Sequence, residues 1–357
     1  MRQDALVYLM DVYTGEGLKG VPRGTVKSLR LFTYHYAYHG MGGQGNRVGY
    51  DGPWDVKRIM GTVPVEADGS ALFRVPANTP ISVQPLDRKG KAIQLMRSWF
   101  TAMPGEVLSC VGCHEQQNST PTLNSTLAAR KEPAEIRPWY GPTRGFSFRH
   151  EIQPVLNRYC IRCHDGGREA RTKGLPDLRP ARPVTSKQGA RFTPAYRQLY
   201  RYVRSHTIES DLHMLNPYEF HADSTRLMQM LEKGHHGVVL STEAWDRLIT
   251  WIDLNTPAHG RWTDIVGSSK VRHQQRRRQL MLKRYAGMEE NPEVKLTTAV
   301  LQDSEPDTGS LEQASQQHPI PKESSINDFG KRRSIKIGDG GNRNHQCTVC
   351  PIRSNSR

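Results

Sequence analysis

The chain has 357 residues, with 50 Lys and Arg against 35 Asp and Glu, giving a formal net charge of +15. Only 36% of the residues are hydrophobic and the mean hydropathy is −0.67, so part of the length is not expected to pack into a core. No apolar run reaches the ~18 residues of a membrane-spanning helix. The positive charge is dispersed, and its densest run, Arg276-Arg277-Arg278, reads as a solvated helix face, which argues against specific nucleic-acid binding.

Residues 1–115 read as a β-rich domain. Val7 to Tyr13 forms a strand ending at Thr14-Gly15, and Leu29, Leu31 and Thr33 alternate with polar residues. Val63 and Val65 lead into Ala67-Asp68-Gly69-Ser70, from which Ala71, Phe73 and Val75 alternate outward; Asp-Gly between alternating strands predicts a hairpin. Ile81-Ser82-Val83 and Ala92 to Met96 add further strands, and the spacing suggests a small antiparallel sandwich. The Gly-rich stretch 40–52 lacks the strand and helix context of a phosphate cradle. The opening Met1 to Met10 is too short, and too soon followed by Asp11, for a signal-peptide apolar region. It reads as a strand already inside a domain, so an N-terminally truncated start is the expectation.

Cys110-Val111-Gly112-Cys113-His114 closes this region, and Cys160-Ile161-Arg162-Cys163-His164 follows 50 residues later. Each is a c-type haem attachment signature: Cys110, Cys113, Cys160 and Cys163 supply thiols that add across the haem vinyl groups, and His114 and His164 are placed as proximal iron ligands. With 6 Cys and 14 His in the chain, chance yields roughly 0.004 such pentads. Two covalently bound haem c groups are therefore expected. A structural zinc site made from the two Cys pairs is the alternative, but it gives no reason for a His after each pair. Covalent haem implies a periplasmic setting and redox partner proteins.

Residues 116–145 are polar and Pro-punctuated and read as a linker. Residues 146–265 read as an all-α domain in the order of a small cytochrome c. A helix bearing Ile152, Val155, Leu156 and Tyr159 runs into Cys160, with Pro154 tolerable only in its first turn. A second helix over 224–233 stops at Gly234, and a third begins at Ser241-Thr242 with Trp245, Leu248, Ile249 and Ile252 on one face. The sixth ligand of the second haem is sought before this last helix: the candidates are His213, Met214, His221, His235 and His236, with the His235/His236 pair preferred for its place just after a helix stop. For the first haem, Tyr34-His35-Tyr36-Ala37-Tyr38-His39 is the local source of a ligand or an acid–base group; the same alternation also describes an exposed strand face. Residues 266–357 read as a basic helix over 270–285 and then a disordered tail. In that tail His345, Cys347 and Cys350 allow half a zinc knuckle, and unpaired thiols are the other reading.

Several longer words in the chain resemble the hydrazine synthase alpha subunit family. They are Arg97-Ser98-Trp99, Ser109 through Glu115, Glu151 through Leu156 with its pentad, Lys233-Gly234-His235-His236-Gly237, and Ala244 through Asn255 followed by His259-Gly260. The resemblance covers about residues 5–265. It implies a first haem in a middle β domain and a second, bis-His haem in a C-terminal cytochrome c-like domain. In that family an N-terminal propeller usually precedes these domains. It also implies a tyrosine ligand to the catalytic iron four residues after the motif His, with that His turned to zinc. The matching position here is Asn118, a poor iron ligand, so zinc at His114 is not supported and His114 is expected to bind iron directly. The resulting expectation is a dihaem cytochrome that transfers electrons. The alternative is an oxidoreductase subunit with an open haem acting on small nitrogen species.

Overall fold

The computed structural model describes residues 3–302, apart from 43–46, 51–54, 116–117, 119, 121–124, 187–188 and 207–213. The tail cysteines Cys347 and Cys350 lie outside the described residues, as do His213 and part of the 40–52 stretch.

Strand β1 (Asp4–Leu9) pairs antiparallel with β4 (Ala71–Pro76) and parallel with β6 (Val107–Cys110), making a sheet of order β4-β1-β6. The second sheet has the order β5-β2-β3-β7, from β2 (Ser28–His35), β3 (Val56–Pro64), β5 (Ile81–Leu86) and β7 (Arg137–Pro138); β8 (Arg144–Gly145) also pairs with β3. The sandwich expected from the alternation is present, and its first sheet is mixed because β6 runs parallel to β1. Ala5, Val7 and Leu9 of β1 and Phe73 of β4 share one core with Leu29 and Leu31 of β2.

Alternation fails in β2 for a physical reason. Six of its eight residues are buried, because the second sheet is covered on both faces. Leu29 and Leu31 face the first sheet, while Phe32 joins Ile59 and Leu95 in a second core with Val155, Leu156, Leu248 and Trp251 of the helices. The layers are thus sheet, sheet and helices, and the described residues belong to one compact unit. The 116–145 stretch does more than link: Trp139 is buried, and β7 and β8 extend the edge of β3. Gly61 admits that edge, since a Cβ there would stand 2.0 Å from the Arg137 carbonyl oxygen.

The helical part follows its sequence signals. Helix α1 (Gln153–Tyr159) holds Pro154 in its first turn and ends at Cys160. Helix α2 (Arg168–Thr172) and the short hairpin β9 (Val184–Thr185) and β10 (Arg191–Phe192) precede α3 (Pro194–Tyr200) and α4 (Arg226–Glu232). Helix α5 (Thr242–Asp253) starts at Ser241, whose hydroxyl accepts the Ala244 N–H, a cap worth about 1 kcal/mol. Its far end locks onto the sheet. Asp253, fully buried, accepts from Arg30 of β2 (3.3 Å) and from the backbone N–H groups of Ala92 (2.8 Å) and Ala222 (2.9 Å).

Helices α6 (Trp262–Val266) and α7 (Ser268–Met281) follow, and the expected basic helix is α7. The order expected to fade from 266 persists to residue 302. Glu293 is buried and caps α6, accepting the Trp262 and Thr263 N–H groups at 3.1 and 3.0 Å, and it also bonds His35 at 2.6 Å. Polar composition hid this segment, because its anchors are scattered: the buried Glu293, Glu290 on Arg58, and the isolated apolar side chains of Leu296 and Leu301.

Candidate functional site

The first pentad is shaped by backbone contacts with the loop after β1. Met10 N–H donates to the Cys110 carbonyl (2.9 Å), Asp11 N–H to Val111 (3.3 Å), and Gly17 N–H to Cys113 (3.0 Å). The loop and pentad touch so closely that a Cβ on Gly112 would lie 2.1 Å from the Thr14 carbonyl oxygen. His114 leaves this turn at φ 57° and is exposed. Burial pushes the Cys110 thiol up to about 11 and, with the Cys110, Glu115 and Asp11 charges adding, the Cys113 thiol up to about 12. Both are neutral thiols at neutral pH.

The pentad opens into a cavity of about 760 Å³ between the two sheets. Val7, Leu9 and Phe73 line it from the first sheet, and Leu29, Val83 and Pro85 from the second. A mainly apolar pocket of this size, with a few polar groups at one wall, is what a large planar cofactor needs. Two thiols and a His stand at its edge, so the residues fit a covalently held haem.

At the second pentad, Cys160 caps α1, with its N–H on the Leu156 carbonyl (2.9 Å), and one tight turn brings Cys163 and His164 N–H to the Cys160 carbonyl (3.2 and 3.0 Å). His164 Nδ1 lies 3.1 Å from the Pro176 carbonyl oxygen. A carbonyl only accepts, so Nδ1 carries the proton and Nε2 keeps its lone pair for a metal. The His235 ring stands across from it, with centroids 6.1 Å apart and planes 22° from parallel. Two metal–imidazole bonds of about 2.0 Å, with roughly 1.1 Å from each nitrogen to its ring centre, span about the same distance. His235 is projected by a turn in which Gly234, His236 and Gly237 all have positive φ; His236 is exposed beside it. Desolvation, with the neighbouring His236 and His164, holds His235 below the usual imidazole value, which keeps it a neutral donor. These residues fit a haem with two imidazole ligands.

The remaining candidates fall elsewhere. Met214 lines the first cavity. His221 is buried, its Nε2 has no hydrogen-bond partner, and desolvation beside Arg30 and Lys57 pushes it down to about 4. Neither the exposed-face nor the ligand reading of 34–39 holds as written. Tyr34 and Tyr36 stack at 5.5 Å with Trp99 edge-on to both, His35 is buried, and none of them lines the cavity. His35 Nε2 donates to Glu293, and Nδ1 accepts from Arg278 at 3.3 Å. Nothing local in the sequence could have paired residues 35 and 293. Among the described residues, no three His, Cys, Asp or Glu side chains gather as a metal-ion site, so the two Cys pairs do not form a four-thiolate set. Among them too, no helix is long and apolar enough to cross a membrane.

A family profile described as the hydrazine synthase alpha subunit middle domain matches residues 24–115. The hydrazine synthase subunit alpha of Kuenenia stuttgartiensis is 21% identical, over 71% of this chain and 40% of that protein. The solved hydrazine synthase of the same organism superposes with a TM-score of 0.51 at 17% identity, covering 72% of this chain and 44% of that one. The chain thus spans well under half the length of the relative it matches. The middle-domain profile over residues 24–115, the relative and the shared fold agree in making this chain similar to the hydrazine synthase alpha subunit.

Proposed function

We propose that the chain is the haem-bearing part of a periplasmic redox enzyme subunit that acts on a small nitrogen species, with a reaction site at the first pentad and an electron relay at the second. The observation that carries this reading is the cavity of about 760 Å³ at Cys110 and Cys113. Among its described lining residues there is no His or Tyr from outside the pentad. Bound haem would supply one-electron chemistry at iron. The chain's own residues do the rest. Cys110 and Cys113 would anchor the group, His114 would offer its imidazole, and the apolar walls would limit water. At the second site the Pro176 carbonyl fixes the His164 tautomer, and His164 and His235 would hold the group between two imidazoles, which suits a relay. The name of the relative, a subunit, supports partner chains here as well.

Pure electron transfer is the second reading, favoured by one residue: Asn118 stands where the resemblance places a catalytic tyrosine. Spectra of the haem-loaded protein separate the two. Enzyme-type chemistry requires that hydroxylamine or nitric oxide perturb one of two haems; two haems that both ignore these ligands leave only the relay.

A further inference from the structure

The first cavity carries a second wall of donors that neither the pentad nor the relay uses. It lies between two sheets: β6 delivers the pentad from one, and the segment after β5 forms the opposite wall. On that segment Met96 lines the cavity, with its N–H on the Val83 carbonyl of β5 at 3.3 Å. The Gln94 amide donates to the Gly17 carbonyl (3.1 Å) and the Leu215 carbonyl (2.7 Å), fixing the segment against the loop after β1 that packs on the pentad. Leu95 beside it is buried in the helical core. Met96 is therefore a half-buried thioether on a pinned backbone, lining the same cavity as the pentad.

Among the described lining residues, few side chains outside the thiols can donate an electron pair to iron. His114 and Glu115 share the pentad's own wall, and the Gln94 amide is spent on carbonyls. Two thioethers remain. Met214 is 39% exposed, whereas Met96 is half-buried on the backbone segment held against β5. We infer that Met96 is the second axial ligand of the first haem at rest, a displaceable thioether that a small nitrogen donor replaces. A thioether is a softer and weaker partner for ferric iron than an imidazole and raises the reduction potential relative to two imidazoles. The first site would then rest closed and accept electrons from the bis-imidazole site, opening on ligand exchange: one Fe–S bond breaks and one Fe–N bond forms, with no change in oxidation state.

This inference rests on the haem reading above, and the test keeps the two apart. The full chain is exported with a signal peptide in a strain that matures c-type cytochromes, as wild type and as Met96→Leu, Met96→His and Met214→Leu. Mass spectrometry locates the haems on Cys110/Cys113 and Cys160/Cys163. The ferric near-infrared spectrum and the cyanide-binding rate report the ligand. The bis-imidazole haem gives no thioether-to-iron band, so any such band belongs to the first site. Expected are a thioether band in wild type and in Met214→Leu, and its loss in Met96→Leu with a new high-spin haem and faster cyanide binding. Met96→His should stay low-spin without the band, which shows that the fold survives substitution. Two haems with no band in wild type, or a band that only Met214→Leu removes, overturn the assignment to Met96. No haem on Cys110 and Cys113 overturns the haem reading itself.

Discussion

Gly112 sits inside the first pentad, and its missing side chain is what lets the pentad and the loop after β1 share backbone hydrogen bonds. A methyl group there meets the Thr14 carbonyl oxygen at 2.1 Å, and backbone cannot swing aside as a side chain can. Gly112→Ala is expected to cost about 1–3 kcal/mol as an overpacking change, read as a lower denaturant midpoint at unchanged slope. At the second pentad the adjacent histidines divide cleanly. His235 faces His164, and His236 points to solvent. On haem-loaded protein, His235→Ala should convert one low-spin haem to high-spin, and His236→Ala should leave the spectrum unchanged; the reverse pattern would exchange their roles.

At the scale of elements, the join between helix α5 and the second sheet is electrostatic as well as apolar. Arg30, 1% exposed, has its guanidinium on Asp253, the Gln84 amide oxygen and the Gly90 carbonyl. Removing one partner of a buried pair leaves an uncompensated charge, so Asp253→Ala should destabilise by about 3–5 kcal/mol, measurable by urea unfolding. A loss below 1 kcal/mol would mean that Asp246, 3.9 Å from Arg30, takes over. Helix α5 was legible in the sequence because Ser241 caps it and Trp245, Leu248, Ile249 and Ile252 mark one face. The hairpin at Asp68-Gly69 was legible because its turn chemistry is local. The parallel pairing of β6 with β1 spans about a hundred residues and leaves no local pattern. The double burial of β2 was hidden for the same reason: a strand records that it is apolar, not what covers each face. Of the candidate site, the pentads were plain and the His235/His236 pair was half-resolved, since only the fold decides which ring faces His164.

For the whole molecule, one core lies between the sheets and another between the second sheet and the helices, and several buried ionisable groups make stability depend on pH. His221 is pushed down to about 4 by desolvation, with Arg30 and Lys57 adding to it. Below about 6.5 the unfolded chain binds a proton that the folded chain refuses, so stability falls as pH drops from about 6.5 to 4 and then levels. His35 is also lowered, by desolvation against the pull of Glu293, and acts with the same sign. Desolvation raises Glu293, but the His35 and Thr263 hydrogen bonds hold it net below its ordinary value, so its contribution is lost below about pH 4.3. Thermal unfolding from pH 8 to 4 should show a falling midpoint that begins near 6.5, and His221→Gln should flatten that first decline. A midpoint constant down to pH 5 would contradict the buried, neutral state of His221.

The two pentads, one opening into the cavity between the sheets and one facing His235, make covalent haem the claim on which the rest depends. A pyridine haemochrome assay on the full chain, exported to the periplasm of a strain that matures c-type cytochromes, tests it most directly. Two covalent haems per chain are predicted, one each at Cys110/Cys113 and Cys160/Cys163. Folded protein that emerges from the same export with no covalent haem, its four thiols still free, would contradict it.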